Sequence, residues 1–283
     1  MSDRRTSAWL DPLADGGHPD ATARVGFFTD TSVCIGCKAC EVACKEWNEV
    51  PAQGFDLLGL SHDNTGALGA DAWRHVAFVE QRRPAATGDG VRWLMSSDVC
   101  KHCTHAACLD VCPTGALFRT RFGTVVVQPD VCNGCGYCVP ACPFGVIERR
   151  EGPAGTKDVG VAQKCTLCHD RLESGMTPAC AQACPTESIQ FGVLDELRAR
   201  ARHRLAELHG RGVDEARLYG ADPGDGIGGA GALFLLLDEP AVYGLPPAPT
   251  VTTRDLPRMY RRAGAAAAAL LAGVVAAFLG RSG

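Results

Sequence analysis

The stretch CNGCGYCVPACP (132–143) sets four cysteines at the spacing Cys-x2-Cys-x2-Cys-x3-Cys and ends in Cys-Pro. This spacing suits thiolate ligation of a four-iron cluster, with the fourth cysteine serving a second cluster. Three thiolates two residues apart can surround one small cube of iron and sulfide only if the backbone turns tightly. Gly134 and Gly136 permit such a turn because glycine tolerates positive φ. The stretch therefore predicts a small fold built around iron–sulfur clusters.

Three further sets of four cysteines flank this stretch, and together the four sets use all sixteen cysteines of the 283-residue chain. We number the motifs in chain order: CIGCKACEVAC (34–44), CKHCTHAACLDVCP (100–113), CNGCGYCVPACP (132–143) and CTLCHDRLESGMTPACAQACP (165–185). CLDVCPTGALFR (108–119) aligns without gaps with CVPACPFGVIER (138–149), and CAQACPTESIQF (180–191) is a looser copy. Such repetition indicates duplicated units that are each too small to bury a core alone.

Two other chemistries also use closely spaced cysteines. Disulfides would have to pair within crowded triplets, and the cysteine fraction is below that of typical disulfide scaffolds. Structural zinc uses Cys-x2-Cys pairs, but it does not call for a third cysteine three residues on or for a trailing Cys-Pro. The spacing favours iron–sulfur clusters, and a zinc-stabilised interaction module is the alternative that metal analysis separates from it.

Composition argues against several classes of function. The formal net charge is −4 and no basic patch with interleaved aromatic residues is present, so we expect no nucleic-acid partner. Gly226, Gly228 and Gly231 match G-x-G-x-x-G, but a dinucleotide site needs a strand before the motif and a helix after it. Here a strand-like segment follows, so we expect no bound nucleotide. Residues 1–24 contain an arginine pair without an apolar run behind it, which indicates an extension rather than a signal peptide.

Apolar patterning predicts four strands, one surface helix and one membrane helix. Alternation bounded by turn residues predicts the strands, and helical spacing of leucine and alanine predicts the surface helix. The strands are expected at 73–81, 91–97, 123–128 and 232–237, and the helix at 195–209. Residues 263–279 carry no charge and would span roughly 26 Å as a helix, slightly less than a ~30 Å hydrocarbon core. Flanking arginines favour a membrane anchor, and a helix buried against another subunit is the alternative.

Four longer strings carry a family resemblance. They are SSDVCKHCTHAACLDVCPTGALFRT (96–120), VCNGCGYCVPACPFGVIERR (131–150), KCTLCHDRLESGMTPACAQACPTESIQFG (164–192) and LPPAPTVTTRDLPRMYR (245–261). They resemble the iron–sulfur β subunit of membrane-bound formate dehydrogenase, within the four-cluster electron-transfer subunits of the molybdopterin oxidoreductase superfamily. The wide gaps from Cys103 to Cys108 and from Cys168 to Cys180 match the second and fourth motifs of that family. The resemblance covers roughly residues 25–280.

The resemblance implies an α+β fold of two interleaved bacterial-ferredoxin-like domains, each with two [4Fe–4S] clusters, plus inserted strands and a single C-terminal transmembrane helix. Motifs one and four would share the first domain, and motifs two and three the second. The expected division is an N-terminal extension at 1–24, a first ferredoxin-like domain at 25–52 with 160–192, an insertion at 53–91, a second ferredoxin-like domain at 92–150, a helix, glycine-rich loop and partner-contacting segment at 193–257, and a membrane anchor at 258–283.

Members of this family exchange the fourth cysteine of each motif, so the resemblance implies crossed ligation. Because all sixteen cysteines are kept, four [4Fe–4S] clusters are the expected cofactors. The implied ligand sets are Cys34, Cys37, Cys40 and Cys184 for cluster 1; Cys165, Cys168, Cys180 and Cys44 for cluster 2; Cys100, Cys103, Cys108 and Cys142 for cluster 3; and Cys132, Cys135, Cys138 and Cys112 for cluster 4.

The resemblance also implies a function and two partners. A chain of this kind is not catalytic: it takes electrons from a catalytic α subunit, which oxidises formate at a molybdenum or tungsten pterin. It relays them to a membrane cytochrome b γ subunit that reduces quinone. Residues 263–279 contain no histidine, so the anchor cannot itself ligate haem. The same relay role in a nitrate, sulfoxide or sulfur-oxyanion reductase is the alternative.

The side of the membrane is where two arguments conflict. Four arginines precede the anchor (254, 258, 261 and 262) and one follows it, which by the positive-inside rule leaves the clusters cytoplasmic. Relatives of the best-matching type are exported already folded and sit on the outer face. We expect the outer face, because export of a folded protein bypasses the loop-charge rule.

Three histidines lie beside ligand cysteines: His102, His105 and His169. Hydrogen bonds and nearby charge set the potential of an iron–sulfur cluster. These side chains are therefore candidates for tuning a cluster, and the alternative is that they only pack.

Overall fold

The computed structural model describes residues 22–52, 59, 62–82, 90–153 and 155–279. Within these residues the chain is a mixture of ten strands and seven α-helices, most of them short, which agrees with the expected α+β class. The strands are β1 Val25–Asp30, β2 Arg74–Arg82, β3 Val91–Val99, β4 Leu117–Arg119, β5 Val125–Val127, β6 Glu148–Arg149, β7 Ala162–Gln163, β8 Ile189–Val193, β9 Arg217–Tyr219 and β10 Ala232–Leu236. The helices are α1 Ala39–Asn48, α2 Ala107–Asp110, α3 Cys138–Ala141, α4 His169–Glu173, α5 Ala179–Gln182, α6 Leu194–Gly210 and α7 Leu256–Leu279.

A four-stranded sheet in the order β8-β1-β10-β9 joins segments that are far apart in the chain. Phe28 on β1 lies opposite Gln190 of the antiparallel β8 and opposite Leu233 of the parallel β10. This central position explains why Phe27 and Phe28 are fully buried. The sheet ties the segment that leads into motif one to the segment that leaves motif four.

Helix α6 covers this sheet, and it coincides with the helix predicted at 195–209. Its buried residues recur at helical spacing and include Leu194, Leu197 and Leu208. They pack against Phe28 and Leu233 of the sheet. Each fully buried leucine contributes about 1.5–3 kcal/mol relative to an exposed one, so packing rather than local propensity fixes the helix here.

The β2–β3 hairpin confirms the strands predicted at 73–81 and 91–97. Val76 and Leu94 are buried on its inner face. The backbone N–H of Val76 donates to the Glu41 carboxylate on α1, which fastens the hairpin to motif one. Of the expected insertion at 53–91, residues 53–58, 60–61 and 83–89 lie outside the described residues, as do residues 1–21 of the expected extension.

Two small hairpins accompany motifs two to four. β4 pairs with β5, which lies within the strand predicted at 123–128, and β6 pairs with β7. Leu117, Val125, Ile147 and Ala162 form one apolar cluster with the neighbouring cysteines. The strand predicted at 232–237 is β10, and it follows the glycine-rich loop directly, as the sequence indicated.

Helix α7 contains the uncharged segment predicted at 263–279 and begins at Leu256, two residues before the expected anchor boundary at 258; residues 280–283 of the expected anchor lie outside the described residues. Its 24 residues give a length of about 36 Å at 1.5 Å per residue. The segment Arg258–Leu279 is long and apolar enough to cross a membrane, and none of it is buried against the rest of the chain. This exposure agrees with an anchor, and it leaves room for contact with another subunit.

Candidate metal centres

The three leading cysteines of motif one share a cavity with the last cysteine of motif four. Its walls carry Cys34, Cys37, Cys40 and Cys184, the set expected for cluster 1. The pairing of β1 with β8 explains this meeting, because β1 leads into motif one and β8 follows motif four. Ser97 lines the same cavity, and its Oγ lies 3.2 Å from the Cys40 Sγ. We call these four cysteines the first set.

A second set forms around Cys44, one turn further along α1. The Asn48 Nδ2 lies 3.7 Å from the Cys44 Sγ and 4.0 Å from the Cys168 Sγ. Burial and the charges of Cys165, Cys180 and Cys168 raise the pKa of the Cys44 thiol well above its ordinary value. The structure therefore brings Cys44 of motif one beside the first three cysteines of motif four, as expected for cluster 2.

The third set lines a cavity between motifs two and three. Its walls carry Cys100, Cys103, Cys108 and Cys142, the set expected for cluster 3. Two almost completely buried lysines complete the walls, and both are satisfied by the protein itself. The Lys101 Nζ donates to Asp98 and to the Val99 carbonyl, and the Lys164 Nζ donates to the carbonyls of Val125 and Cys165.

The fourth set gathers Cys112 with the three leading cysteines of motif three. Burial raises the pKa of the Cys138 thiol to about 11, and the charges of Cys132, Cys135 and Cys112 act in the same direction. Helices α2 and α3, which precede Cys112 and carry Cys138, pack against each other. These four are the cysteines expected for cluster 4.

The cysteines fit iron–sulfur clusters by the chemistry of their donor atoms. Burial raises the pKa values of Cys40 and Cys168 to about 11 and those of Cys108 and Cys165 to about 12. A thiolate is disfavoured in such surroundings until a cation compensates it, and bound iron supplies that charge as the thiol protons leave. Four thiolates per site match the ligand count of a [4Fe–4S] cluster. Among the described residues, no three or more His, Cys, Asp and Glu side chains are grouped as ligands of a single metal ion.

The four sets lie in a row in numerical order. Neighbouring sets approach closely enough for the charges of their cysteines to interact, through the pairs Cys40 with Cys180, Cys165 with Cys100, and Cys108 with Cys138. Cys37 in the first set and Cys135 in the fourth are exposed. Each end of the row therefore carries an exposed cysteine, whereas the cysteines of the second set are all buried and those of the third set are buried or partly buried.

The three histidines have packing contacts of different kinds. His102 is fully buried, its Nδ1 accepts the Val125 N–H at 3.1 Å, and burial holds its pKa well below the ordinary value. His105 packs so closely on Gly228 that a Cβ there would lie 2.4 Å from the imidazole Cδ2. His169 meets the Phe122 ring edge-on. Tuning of a cluster by any of them stays a prediction.

The segment just before helix α7 contacts the protein beside the fourth set. The Thr253 Oγ1 donates to the Asp110 carboxylate at 2.5 Å, and Arg254 donates to the carbonyl of Asp225. Asp110 ends α2, two residues before Cys112. Helix α7 therefore leaves the fold near the end of the row that carries Cys135.

Sequence reasoning missed the polar groups that surround the cysteines. Asn48, Lys101 and Lys164 all contact a cysteine or line a cysteine cavity. A lysine or asparagine next to a motif ordinarily indicates a solvated side chain, because these residue types are mostly exposed. The signal that could have found them is position, since Lys101 lies between two cysteines and Lys164 directly precedes one.

Two models of the 4Fe–4S dicluster domain match the chain, one over residues 33–116 and one over residues 91–194. The iron–sulfur subunit of the nitrate-inducible formate dehydrogenase of Escherichia coli is 38% identical over 238 residues, which cover 83% of this chain and 76% of that protein. The formate dehydrogenase iron–sulfur subunit of Haemophilus influenzae is 39% identical over 237 residues, covering 82% and 72%. The electron transfer subunit of the thiosulfate reductase of Salmonella typhi is 41% identical over 168 residues, covering 59% and 74%. With four sets of four cysteines in place, the chain belongs to the family of formate dehydrogenase iron–sulfur subunits and binds four [4Fe–4S] clusters.

Proposed function

We propose that this chain is the electron-relay subunit of a membrane-bound formate dehydrogenase. A catalytic α subunit with a molybdenum or tungsten pterin oxidises formate to carbon dioxide, which releases two electrons and one proton. A cytochrome b γ subunit passes the electrons to quinone. The observation that carries this proposal is the extent of similarity, since the formate dehydrogenase subunits align with 83% and 82% of the chain.

Each bound [4Fe–4S] cluster supplies a one-electron carrier whose potential the protein sets. The chain itself contributes position and access. It holds four thiolate sets in one row, buries all four cysteines of the second set, and exposes Cys37 and Cys135 at the two ends of the row. Electrons enter at one end and leave at the other, and no residue of this chain takes part in formate chemistry.

The ligand sets we propose are the crossed ones, and the two ferredoxin-like domains are accordingly interleaved. The cavities lined by the first and third sets support this assignment, because each contains three cysteines of one motif and one of another. The amide of Asn48 between Cys44 and Cys168 supports it for the second set. We keep the expected domain boundaries, with the first domain at 25–52 and 160–192 and the second at 92–150.

The position at which helix α7 begins suggests the direction in which electrons move through the four clusters. Because α7 starts beside the fourth set, we propose that this set faces the cytochrome b subunit and that the first set faces the catalytic subunit. Residues 258–283 would then cross the membrane once. We propose that the cluster domains lie on the outer face, on the ground that export of a folded complex bypasses the arginine rule.

Metal analysis of the anaerobically purified protein tests the cofactors. We expect about sixteen irons and sixteen acid-labile sulfides per chain. Stoichiometric zinc with little sulfide would end the iron–sulfur proposal. Exposure of the same sample to air is the control. Iron–sulfur clusters should lose iron and sulfide together in air, whereas a zinc site should keep its metal.

The choice between formate dehydrogenase and a reductase is tested on the complete complex in membranes. We expect formate to reduce the clusters without added dye, so that the EPR signals of the reduced clusters appear. The thiosulfate reductase relative favours a second candidate, the same relay in a sulfur-oxyanion reductase. That candidate replaces ours if formate leaves the clusters oxidised while thiosulfate reoxidises clusters that dithionite has reduced.

A further inference from the structure

Arg74, the first residue of β2, is buried among the cysteines of the first two sets. Its residue surface is only 2% exposed. The guanidinium carbon lies 4.9 Å from the centre of the Phe27 ring, which closes one side of the site. A cation so far from water needs strong local compensation, because desolvation of a charge is costly.

The hydrogen bonds of Arg74 leave two of its nitrogens unpartnered. The Nη1 donates to the Ser97 carbonyl at 3.3 Å and to the Ser97 Oγ at 3.0 Å. The Nε and Nη2 are buried and contact no hydrogen-bond acceptor. Leaving a buried donor unsatisfied costs about 1–3 kcal/mol, and more for a charged group. These donors therefore point to an acceptor that is not part of the polypeptide.

The cysteines that act on Arg74 indicate which acceptor this is. Burial alone would lower the pKa of its guanidinium, but the thiolates of four cysteines outweigh burial and raise it. Those cysteines are Cys180, Cys40, Cys165 and Cys44. Three of them belong to the second set and one to the first. Lys101 and Lys164 differ from Arg74 because carboxylate and carbonyl oxygens already accept from them.

We propose that Arg74 donates through Nε and Nη2 to the sulfur atoms of the cluster at the second set and raises its reduction potential. Reduction adds negative charge to the cluster, so a nearby cation and hydrogen bonds to its sulfurs favour the reduced form. The buried location keeps this interaction from being screened by salt. This inference rests on the proposed ligand sets.

The link to the first set runs through Ser97 and involves one cysteine, against three in the second set. The Ser97 Oγ accepts from Arg74 and lies 3.2 Å from the Cys40 Sγ. The second set lies in the buried middle of the row between two other negatively charged sites. Repulsion from these neighbours opposes its reduction, and Arg74 offsets that repulsion, so that an electron leaving the first set meets no high barrier at the second.

The test is an EPR-monitored redox titration of the complete complex carrying Arg74→Gln. We expect the equilibrium constant for reducing the second-set cluster to fall at least tenfold, a midpoint shift of about −59 mV for a one-electron couple. The first-set midpoint shifts in the same direction by less, and the third and fourth stay unchanged. The matched control is Arg92→Gln on the same hairpin, whose side chain donates to the Leu237 carbonyl and to Asp238. That control leaves all four midpoints in place.

A second variant, Arg74→Lys, keeps the charge but loses donors, so its second-set midpoint shifts less than in Arg74→Gln and in the same direction. If Arg74→Gln fails to assemble clusters, an unshifted midpoint in Arg74→Lys overturns the inference. Four signals at wild-type midpoints in Arg74→Gln overturn it as well, as does a shift confined to the third or fourth set. A wild-type complex without four cluster signals would instead refute the proposed function.

Discussion

Replacing Gly36 by alanine tests how tightly motif one is clamped by the inserted hairpin. Gly36 lies between Cys34 and Cys37 with φ of +65°. A Cβ at this position would lie 2.6 Å from the Phe78 Cε1 and 2.7 Å from the Met95 Sδ. Phe78 and Met95 face each other across β2 and β3 and are partly buried, so the ends of both side chains must move to make room for the new methyl group.

The magnitude has two parts. A left-handed backbone costs a residue with a Cβ about 1–2 kcal/mol. Overpacking against a well-packed core costs about 1–3 kcal/mol more. Gly36→Ala should therefore destabilise the chain by about 2–5 kcal/mol, a large share of the ~5–15 kcal/mol that holds a typical domain together. Gly212→Ala is the matched control, because Gly212 has φ of +79° and a Cβ there would meet nothing within 4 Å. This variant should therefore be destabilised only by the backbone cost of about 1–2 kcal/mol.

The assay is the guanidinium concentration at which the visible absorption of the clusters disappears under anaerobic conditions. Gly36→Ala should lose its clusters at a lower concentration than Gly212→Ala. Phe78→Leu removes the overlapping ring but leaves Met95. Gly36→Ala should therefore lower the midpoint less in a Phe78→Leu background than it does in the wild-type chain. Equal midpoints for Gly36→Ala and Gly212→Ala would refute the reasoning, and so would a Phe78→Leu background that brings no recovery.

Two further predictions concern the anchor and a buried carboxylate. Truncation after Pro257 should leave all four clusters intact, because every cysteine precedes residue 185. It should release the complex from its membrane subunit and slow quinone reduction, while formate oxidation with an artificial acceptor survives. Full quinone reduction by the truncated chain would show that α7 is only a packing helix. Burial acts to raise the pKa of Asp63, but its hydrogen bonds with His75 and with the Thr65 and Gly66 N–H groups outweigh burial and hold the pKa at about 2. Loss of this stability begins only as the pH falls from the ordinary 3.8 towards 2, where the acid-labile clusters no longer survive. Asp63→Asn should therefore lower the guanidinium midpoint by the same amount at pH 7 and at pH 5, and a difference that vanishes already at pH 5 would contradict this.

The four cysteine motifs could be found from the sequence because ligand spacing is local, whereas the crossed sets were implied only by the family resemblance. Three thiolates around one cube depend on a few consecutive φ and ψ values, and these are set by residues such as Gly36 and Gly134. Helix α6 was equally accessible, since its buried leucines recur at one period. Strands β2 and β3 could be predicted because the alternation of apolar and polar residues, and the turn residues between them, are also local signals.

The central sheet was not found because its pairing is not local. β1 pairs with β10, which lies about two hundred residues later in the chain. The sequence VGFFTD (25–30) does not indicate which strands β1 pairs with. The role of Arg74 was hidden in the same way. At the start of a strand-like segment an arginine ordinarily indicates a solvated charge, and only the packing of the hairpin on motifs one and four buries it. The uncharged residues alone place the start of the last helix at 263, whereas the expected anchor boundary at 258 comes within two residues of the start of α7 at Leu256.

Crossed ligation is the claim on which the relay depends, and the EPR spectrum of Cys44→Ser tests it most directly. Cys44 stands in motif one, yet we assign it to the cluster otherwise held by Cys165, Cys168 and Cys180. Spectra of Cys44→Ser, Cys165→Ser and Cys37→Ser are recorded on the reduced complex. We expect Cys44→Ser to perturb the signal that Cys165→Ser perturbs and to leave intact the signal lost in Cys37→Ser. If Cys44→Ser instead alters the Cys37→Ser signal, motifs one and four are not interleaved and the account is wrong.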